Sequence, residues 1–223
     1  MKNEVIYELS ACQWQLLAVC AGLEEVYGIC FDKQEFSREK LAGELHRMVG
    51  QQILKVEGEV LVPDGIYREM LAIVAEVEQI LVVRVPQEFQ ESGGVLYPGS
   101  RCLWVQPSRV RKDYLELRIF QWEEWLSYLW EQEYLPDYKM QMETTAQACP
   151  KDENSARLEG RKLLLVEAFS VKEKESKRKL SLWQCPDGEH ILQENPEKKT
   201  RIPYTKSRFE GALRYCLCVN SYI

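Results

Sequence analysis

Few residues in this chain could do covalent or metal chemistry. There are two histidines, His46 and His190, and eight cysteines among 223 residues. His46 lies one position off an apolar helical stripe, and His190 follows a hairpin turn. Neither belongs to a His-Glu-x-x-His pair or to a zinc-ligand spacing. No Cys-x-x-Cys occurs, and Cys216-x-Cys218 has no second pair to complete a tetrahedral site. Cys12, Cys20 and Cys102 sit in apolar periodic surroundings, where a thiol packs as a small hydrophobe. Gly93-Gly94 and Gly99 do not form a phosphate-cradling loop, and no Gly-x-Ser-x-Gly elbow is present. Glu123 and Glu124 are adjacent and point apart on a helix, so they make no facing acid pair. The expectation is a protein without enzymatic activity, cofactor or metal.

Groups suited to contact or burial are abundant: 6 Trp and 11 Tyr. Half of the tryptophans fall in one segment, as Trp122, Trp125 and Trp130. On a helix Trp122 and Trp125 are neighbours, and Trp130 lies about 80° around from Trp122. Such a face either packs on a sheet or anchors a partner. The run Lys172–Lys179 carries five cations against two anions. It reads as a solvated turn between strands or as a contact for an acidic partner. Lys174, Lys177 and Arg178, with the three tryptophans, are the candidate partner-binding residues.

These groups need positioning elements. Ser10 with Gln13 forms a capping box, with Leu9 as its staple, and opens a helix running to about Tyr27-Gly28. Ile29–Phe31 reads as extended. Ser37 caps a second helix through Leu41, Leu45, Met48 and Val49, closed by Gly50. Ile53–Val62 alternates around Gly58 as a hairpin, and Pro63-Asp64 opens a third helix to Val77. Ile80–Val85, Gly93–Tyr97, Cys102–Gln106 and Tyr114–Phe120 read as an antiparallel meander, and Gln121–Tyr134 as the Trp-rich helix. Asp137–Thr145 reads as a strand and Ala146–Gly160 as a loop. Lys162–Val171, Lys179–Cys185 and His190–Leu192 are strands, and Asn195–Ile202 is polar. Ser207 with Glu210 is a second capping box, opening a last helix.

The implied class is α+β: a central antiparallel sheet flanked by helical subdomains, with an N-terminal winged-helix-like unit. Length and composition fit a single domain over 1–223, with possible subunits 1–78, 79–145 and 161–223. A content of 45% hydrophobic and 29% charged residues excludes wholesale disorder. The net charge of -6 argues against a nucleic-acid coat. The wing adds Glu57 and Glu59, which repel phosphate. The uncharged stretch from Leu9 to Leu23 is too short and too polar to span a bilayer, so no direct membrane insertion and a cytoplasmic location are expected.

The order of elements carries a resemblance. Leu9–Gly22, Leu41-Ala42-Gly43-Glu44-Leu45, the Ile53–Val62 hairpin and Pro63-Asp64-Gly65-Ile66-Tyr67-Arg68-Glu69-Met70-Leu71 resemble the opening of the EspG-like proteins of type VII secretion. Gly93–Gln106, Tyr114–Phe120, Leu126 and Leu129 are similar to that family's following meander and helix. Residues 5–130 carry the likeness. It implies a cytosolic, non-enzymatic, substrate-specific chaperone that shields one end of a helical secretion substrate. The chain is shorter than the usual mycobacterial member, which suits a firmicute-type relative acting on small helical-hairpin (WXG100 or LXG-type) substrates. Two other readings stay open: a winged-helix DNA-binding regulator, and a toxin-neutralising immunity or adaptor protein.

Overall fold

The structure is a computed structural model, and it describes residues 5–23, 26, 37–86, 92–136, 160–194 and 200–217. Among these lie five helices and eleven strands. Nine strands form one antiparallel sheet in the spatial order Tyr7–Ser10, Tyr114–Phe120, Cys102–Pro107, Ser92–Tyr97, Gln79–Val85, Arg161–Ser170, Glu175–Gln184, His190–Glu194 and Thr200–Pro203, and Leu54–Glu57 with Val60–Pro63 forms a separate two-stranded sheet. The chain divides into two compact units, one of residues 1–80 with 93–122, the other of 81–92 with 123–223. The boundary expected after residue 78 lies beside the first crossing. The expected middle segment, 79–145, is shared between both units.

The first unit begins with β1 (Tyr7–Ser10) and α1 (Ala11–Cys20). Ser10 accepts from the Gln13 N–H, and the Gln13 side chain accepts from the Ser10 N–H, so the capping box is complete. The helix ends at Cys20, well before Tyr27-Gly28, which lie outside the described residues. Its terminator is Gly22, at φ 75°, with the Leu23 N–H returning to the Ala18 carbonyl. This is a Schellman closure, in which a left-handed residue turns the chain back onto the last carbonyls. Ile29–Phe31 also lies outside the described residues. Ser37 caps α2 (Arg38–Gly50), and Asp64 caps α3 (Gly65–Glu76). Between them β2 (Leu54–Glu57) and β3 (Val60–Pro63) pair from Leu54↔Pro63 to Glu57↔Val60. Gly58, at φ 64°, occupies the first loop position, glycine's place in a type II′ turn.

Three strands of the expected meander follow their expected limits to within one residue: β5 (Ser92–Tyr97), β6 (Cys102–Pro107) and β7 (Tyr114–Phe120). β1, which the sequence reading did not anticipate, pairs with β7 in register Leu9↔Leu115. On one sheet face Leu9, Val95, Leu103, Val105, Leu115 and Leu117 are buried, with α3 against β6 and α1 beside β1. The other face buries a polar chain. The Trp104 indole donates to Gln106 Oε1 at 2.8 Å, Gln106 donates to Glu116 at 2.9 Å, and Arg118 lies 3.5 Å from the same carboxylate. A sheet position can bury these amide and indole groups because each finds its partner two residues along its own strand or directly across the ladder.

The second unit holds most of β4 (Gln79–Val85), then α4 (Trp122–Glu131) from Glu123 onward, β8 (Arg161–Ser170), β9 (Glu175–Gln184), β10 (His190–Glu194), β11 (Thr200–Pro203) and α5 (Lys206–Cys216). Leu164, Val166, Ala168, Leu180, Leu182 and Leu192 share one buried face, and α5 packs on β9 through this unit's core. α4 stops at Glu131 instead of Tyr134, because Glu133 turns left-handed at φ 58° and the Tyr134 N–H returns to Leu129. The polar stretch Asn195–Ile202 contributes the unanticipated β11. The cap of α5 is Thr205, not Ser207: Thr205 Oγ1 accepts from the Arg208 N–H at 3.2 Å. The third helical position is therefore Arg208, and Ser207-Glu210 forms no capping box. The expected strand Asp137–Thr145, and Ala146–Gly160 apart from Gly160, lie outside the described residues.

Candidate protein-contact surfaces

Three places in the fold hold side chains suited to meeting another protein. The first is α4. Its face buries Trp125, Leu126, Tyr128 and Leu129, with Trp125 fully enclosed. That burial removes Trp125 from the candidate contact residues. Trp122 is only partly exposed. Trp130 is held from three sides. Its indole N–H donates to the Tyr204 hydroxyl at 3.2 Å, its ring meets Phe209 edge-on at 6.4 Å, and Lys206 Nζ sits 4.3 Å over it. Burial pushes the Tyr204 hydroxyl pKa up, opposed by the bond from Trp130. The Trp-rich segment thus works mainly as internal packing, with the Trp130 face as its outer margin.

The second place is the β8–β9 hairpin, where the basic run lies. The run is not a simple turn: residues 171–174 form it, with Lys174 at φ 55°, and β9 begins at Glu175. Most of its cations are answered by their own chain. Lys177 pairs with Glu173 and, at 2.5 Å, with Glu175. Arg178 stacks 4.1 Å above the Tyr215 ring and donates to the Tyr215 carbonyl. Lys179 and Arg84 clasp the buried Glu167 at 2.6 and 2.7 Å. The local excess of charge is therefore spread over Glu167, Tyr215 and the turn. Of the six candidate residues, the structure brings Trp122, Trp125 and Trp130 together on α4, and Lys174, Lys177 and Arg178 on this hairpin.

The third place was not singled out from the sequence. Along the β2–β3 hairpin, exposure rises from 1% at Leu54 to 63% at Val56 and 58% at Val60. These two valines lie on opposite faces, since Val56 pairs with Leu61 and Glu57 with Val60. Lys55 and Arg68 both hold Glu57, at 2.7 and 3.1 Å, and their hydrogen bonds keep its pKa below the ordinary carboxylate value. In the same unit α1 carries no charged residue, and its Val19 is 69% exposed. Only Gln13 and Gln15 break its otherwise apolar surface, and an aliphatic side chain standing out from such a helix is suited to cover by another molecule. The signal was legible: Ile53–Val62 carries aliphatics at both parities, where a hairpin with one wet face carries polar residues at one.

Among the described residues no cluster of three His, Cys, Asp or Glu side chains could hold a metal ion, and no helix is long and apolar enough to cross a membrane. Cys12 and Cys20 are free thiols. Burial raises the pKa of Cys12 and of Cys20. No protein-family model and no curated protein matches the sequence.

Proposed function

We propose that the chain is a cytosolic, non-enzymatic chaperone or adaptor of the EspG-like kind. Its partner in this reading is a small helical-hairpin protein of type VII secretion. One observation carries the protein-binding part: aliphatic side chains rise out of the first unit at Val56, Val60 and Val19. Removing such area from water stabilises a complex by roughly 25 cal/mol per Å² before the costs of association. The mechanism is reversible capping, in which an apolar helical surface of the partner stays covered until handover.

In this reading α2, β2, β3 and α3 are a winged-helix-like unit whose wing meets protein. Glu57 and Glu59 on that wing oppose a phosphate backbone, and Arg47 of α2 is engaged with Glu44 at 2.7 Å. The test is co-expression with the helical-hairpin protein encoded beside its gene. Co-purification is expected, with loss of the complex in a Val56→Glu, Val60→Glu variant that keeps its circular-dichroism spectrum. Absence of any complex with such neighbours overturns the proposal. A salt-dependent shift of duplex DNA at low salt would replace it by the regulator reading. Tight inhibition of a neighbouring toxin without handover would replace it by the immunity reading.

A further inference from the structure

The two terminal strands of the nine-stranded sheet differ in what they offer a newcomer. Their outward groups follow from the ladder. The Ala11 N–H donates to the Asp113 carbonyl at 2.9 Å, and Tyr7, Leu9 and Ala11 continue one parity against β7. In an antiparallel pair, residues of that parity point both backbone groups at the neighbour, and the intervening residues point theirs away. Ile6, Glu8 and Ser10 therefore aim N–H and C=O outward from β1. The Ser10 N–H is taken by Gln13 Oε1 at 2.9 Å. Ile6 and Glu8 remain, beside exposed Val5 and Ile6 side chains.

At the other end, the Tyr204 N–H donates to the His190 carbonyl at 2.9 Å, so Arg201 and Pro203 are the outward residues of β11. Pro203 has no N–H to offer, and its carbonyl accepts from Arg208 at 3.1 Å. Arg201 is then the one outward residue of β11 with an N–H, and Pro203 with the guanidinium on its carbonyl hinders a strand that would add there. β1 lacks both.

We propose that the outer edge of β1 pairs antiparallel with the same edge of a second copy, about a two-fold axis passing at Tyr7. This inference is independent of the function proposed above. Two outward residues of equal parity are self-complementary when turned end for end. Ile6 then faces Glu8 of the second copy and Glu8 faces its Ile6, giving four main-chain hydrogen bonds. The register keeps the two Glu8 carboxylates from facing each other. Arg111 already answers Glu8 within the chain, at 3.3 Å, so the edge carries no unmet charge that would select a foreign cationic strand. The contact is short, so the dimer belongs to the weak, concentration-dependent class.

Sedimentation equilibrium of the full chain, from low-micromolar to near-millimolar concentration, tests this together with amide hydrogen exchange. A monomer–dimer equilibrium is expected, with Ile6 and Glu8 amides gaining protection as concentration rises while Tyr7 and Leu9 stay constant. Ile6→Pro, which copies the device at Pro203, weakens the dimer about tenfold or more. Ile6→Glu sets like charges across the two-fold and weakens it more than Ile6→Lys does. A monomer at every concentration overturns the proposal. So does a dimer whose Ile6 and Glu8 amides gain no protection, a result readable on the unmodified chain whether or not a variant folds.

Discussion

Two glycine-to-alanine changes in the first unit carry opposite signs. Gly94 lies in β5 opposite β6, and a Cβ built there would sit 2.5 Å from the Val105 carbonyl oxygen, 2.8 Å from Trp104 Cζ2 and 3.0 Å from Gln106 Cβ. None of these can retreat cheaply. The Val105 oxygen belongs to a paired strand, and Trp104 is fully buried with its indole bound to Gln106. Overpacking of this kind costs about 1–3 kcal/mol, and contact with fixed backbone places Gly94→Ala near the upper end. For a chain of this size each kcal/mol moves the midpoint by about 2–4 °C, so a fall of roughly 6–12 °C is expected. Gly43 sits inside α2 with nothing within 4 Å of its would-be Cβ. There alanine restricts only the unfolded chain and gains about 0.5–1 kcal/mol, raising the midpoint by roughly 1–4 °C. Differential scanning calorimetry of both variants reads the signs directly. In a double-mutant cycle Gly94→Ala should cost less in a Trp104→Phe background than in the unmodified chain, since the smaller ring relieves one contact but leaves that with the carbonyl. Equal midpoints for the two glycine variants would refute the reasoning, as would a Gly94→Ala cost that vanishes in the Trp104→Phe background.

Other outcomes follow from the same contacts. Thr205→Ala should cost about 1 kcal/mol in urea unfolding and Ser207→Ala only a few tenths, because Thr205 caps α5. Gln52→Gly should stabilise the chain by up to about 1 kcal/mol, since Gln52 closes α2 at φ 59° where glycine is unstrained. Burial lowers the pKa of His190 below its ordinary 6.5. Its neutral form thus favours the fold above that value, and the contribution is lost as pH falls below it. His190→Gln should flatten the stability profile between pH 7 and the acid limb, measured by denaturant titration at each pH. Trp130→Phe keeps an aromatic ring but removes the N–H given to Tyr204. It should cost about 1 kcal/mol and shift the phenol ionisation of Tyr204 upward in a spectrophotometric titration.

The parts of the fold that were legible are those whose signals are local. Pro98-Gly99 and Arg109–Asp113 punctuate β5, β6 and β7, and Ser10-Gln13 declares the start of α1 within four residues. The parts that were not depend on distant partners or on exceptions. β1 is only Tyr7–Ser10, and it becomes a strand because Tyr114–Leu117 lies beside it, more than a hundred positions along the chain. β11 reads as polar because an edge strand shows solvent one of its sides. The end of α4 is hidden because Glu133, not glycine, takes the left-handed turn, whereas α2 ends at Gly50 as expected, with Gln52 making its turn. The contact surfaces divide the same way. The Trp cluster and the basic run stand out by composition, yet their roles are set by Tyr204, Phe209 and Tyr215, which no spacing rule connects to them. Ile53–Val62 was read as simple alternation although its aliphatics fall at both parities, and the exposure of Val56 and Val60 follows only once Leu54 and Pro63 are seen to take the buried places.

The closed edge at Pro203 also fixes how far self-association through strands can go. A sheet open at both ends behaves as a bifunctional monomer: each joining event leaves a reactive terminus, and growth runs on to filaments. Pro203 has no N–H and Arg208 is seated on its carbonyl, which leaves Arg201 as the one outward residue of β11 with an amide, too little for a ladder, so under the pairing proposed for β1 this chain has a single functional end. Joining at that end consumes it, so each addition is also a termination, and edge pairing stops at two copies whatever the concentration.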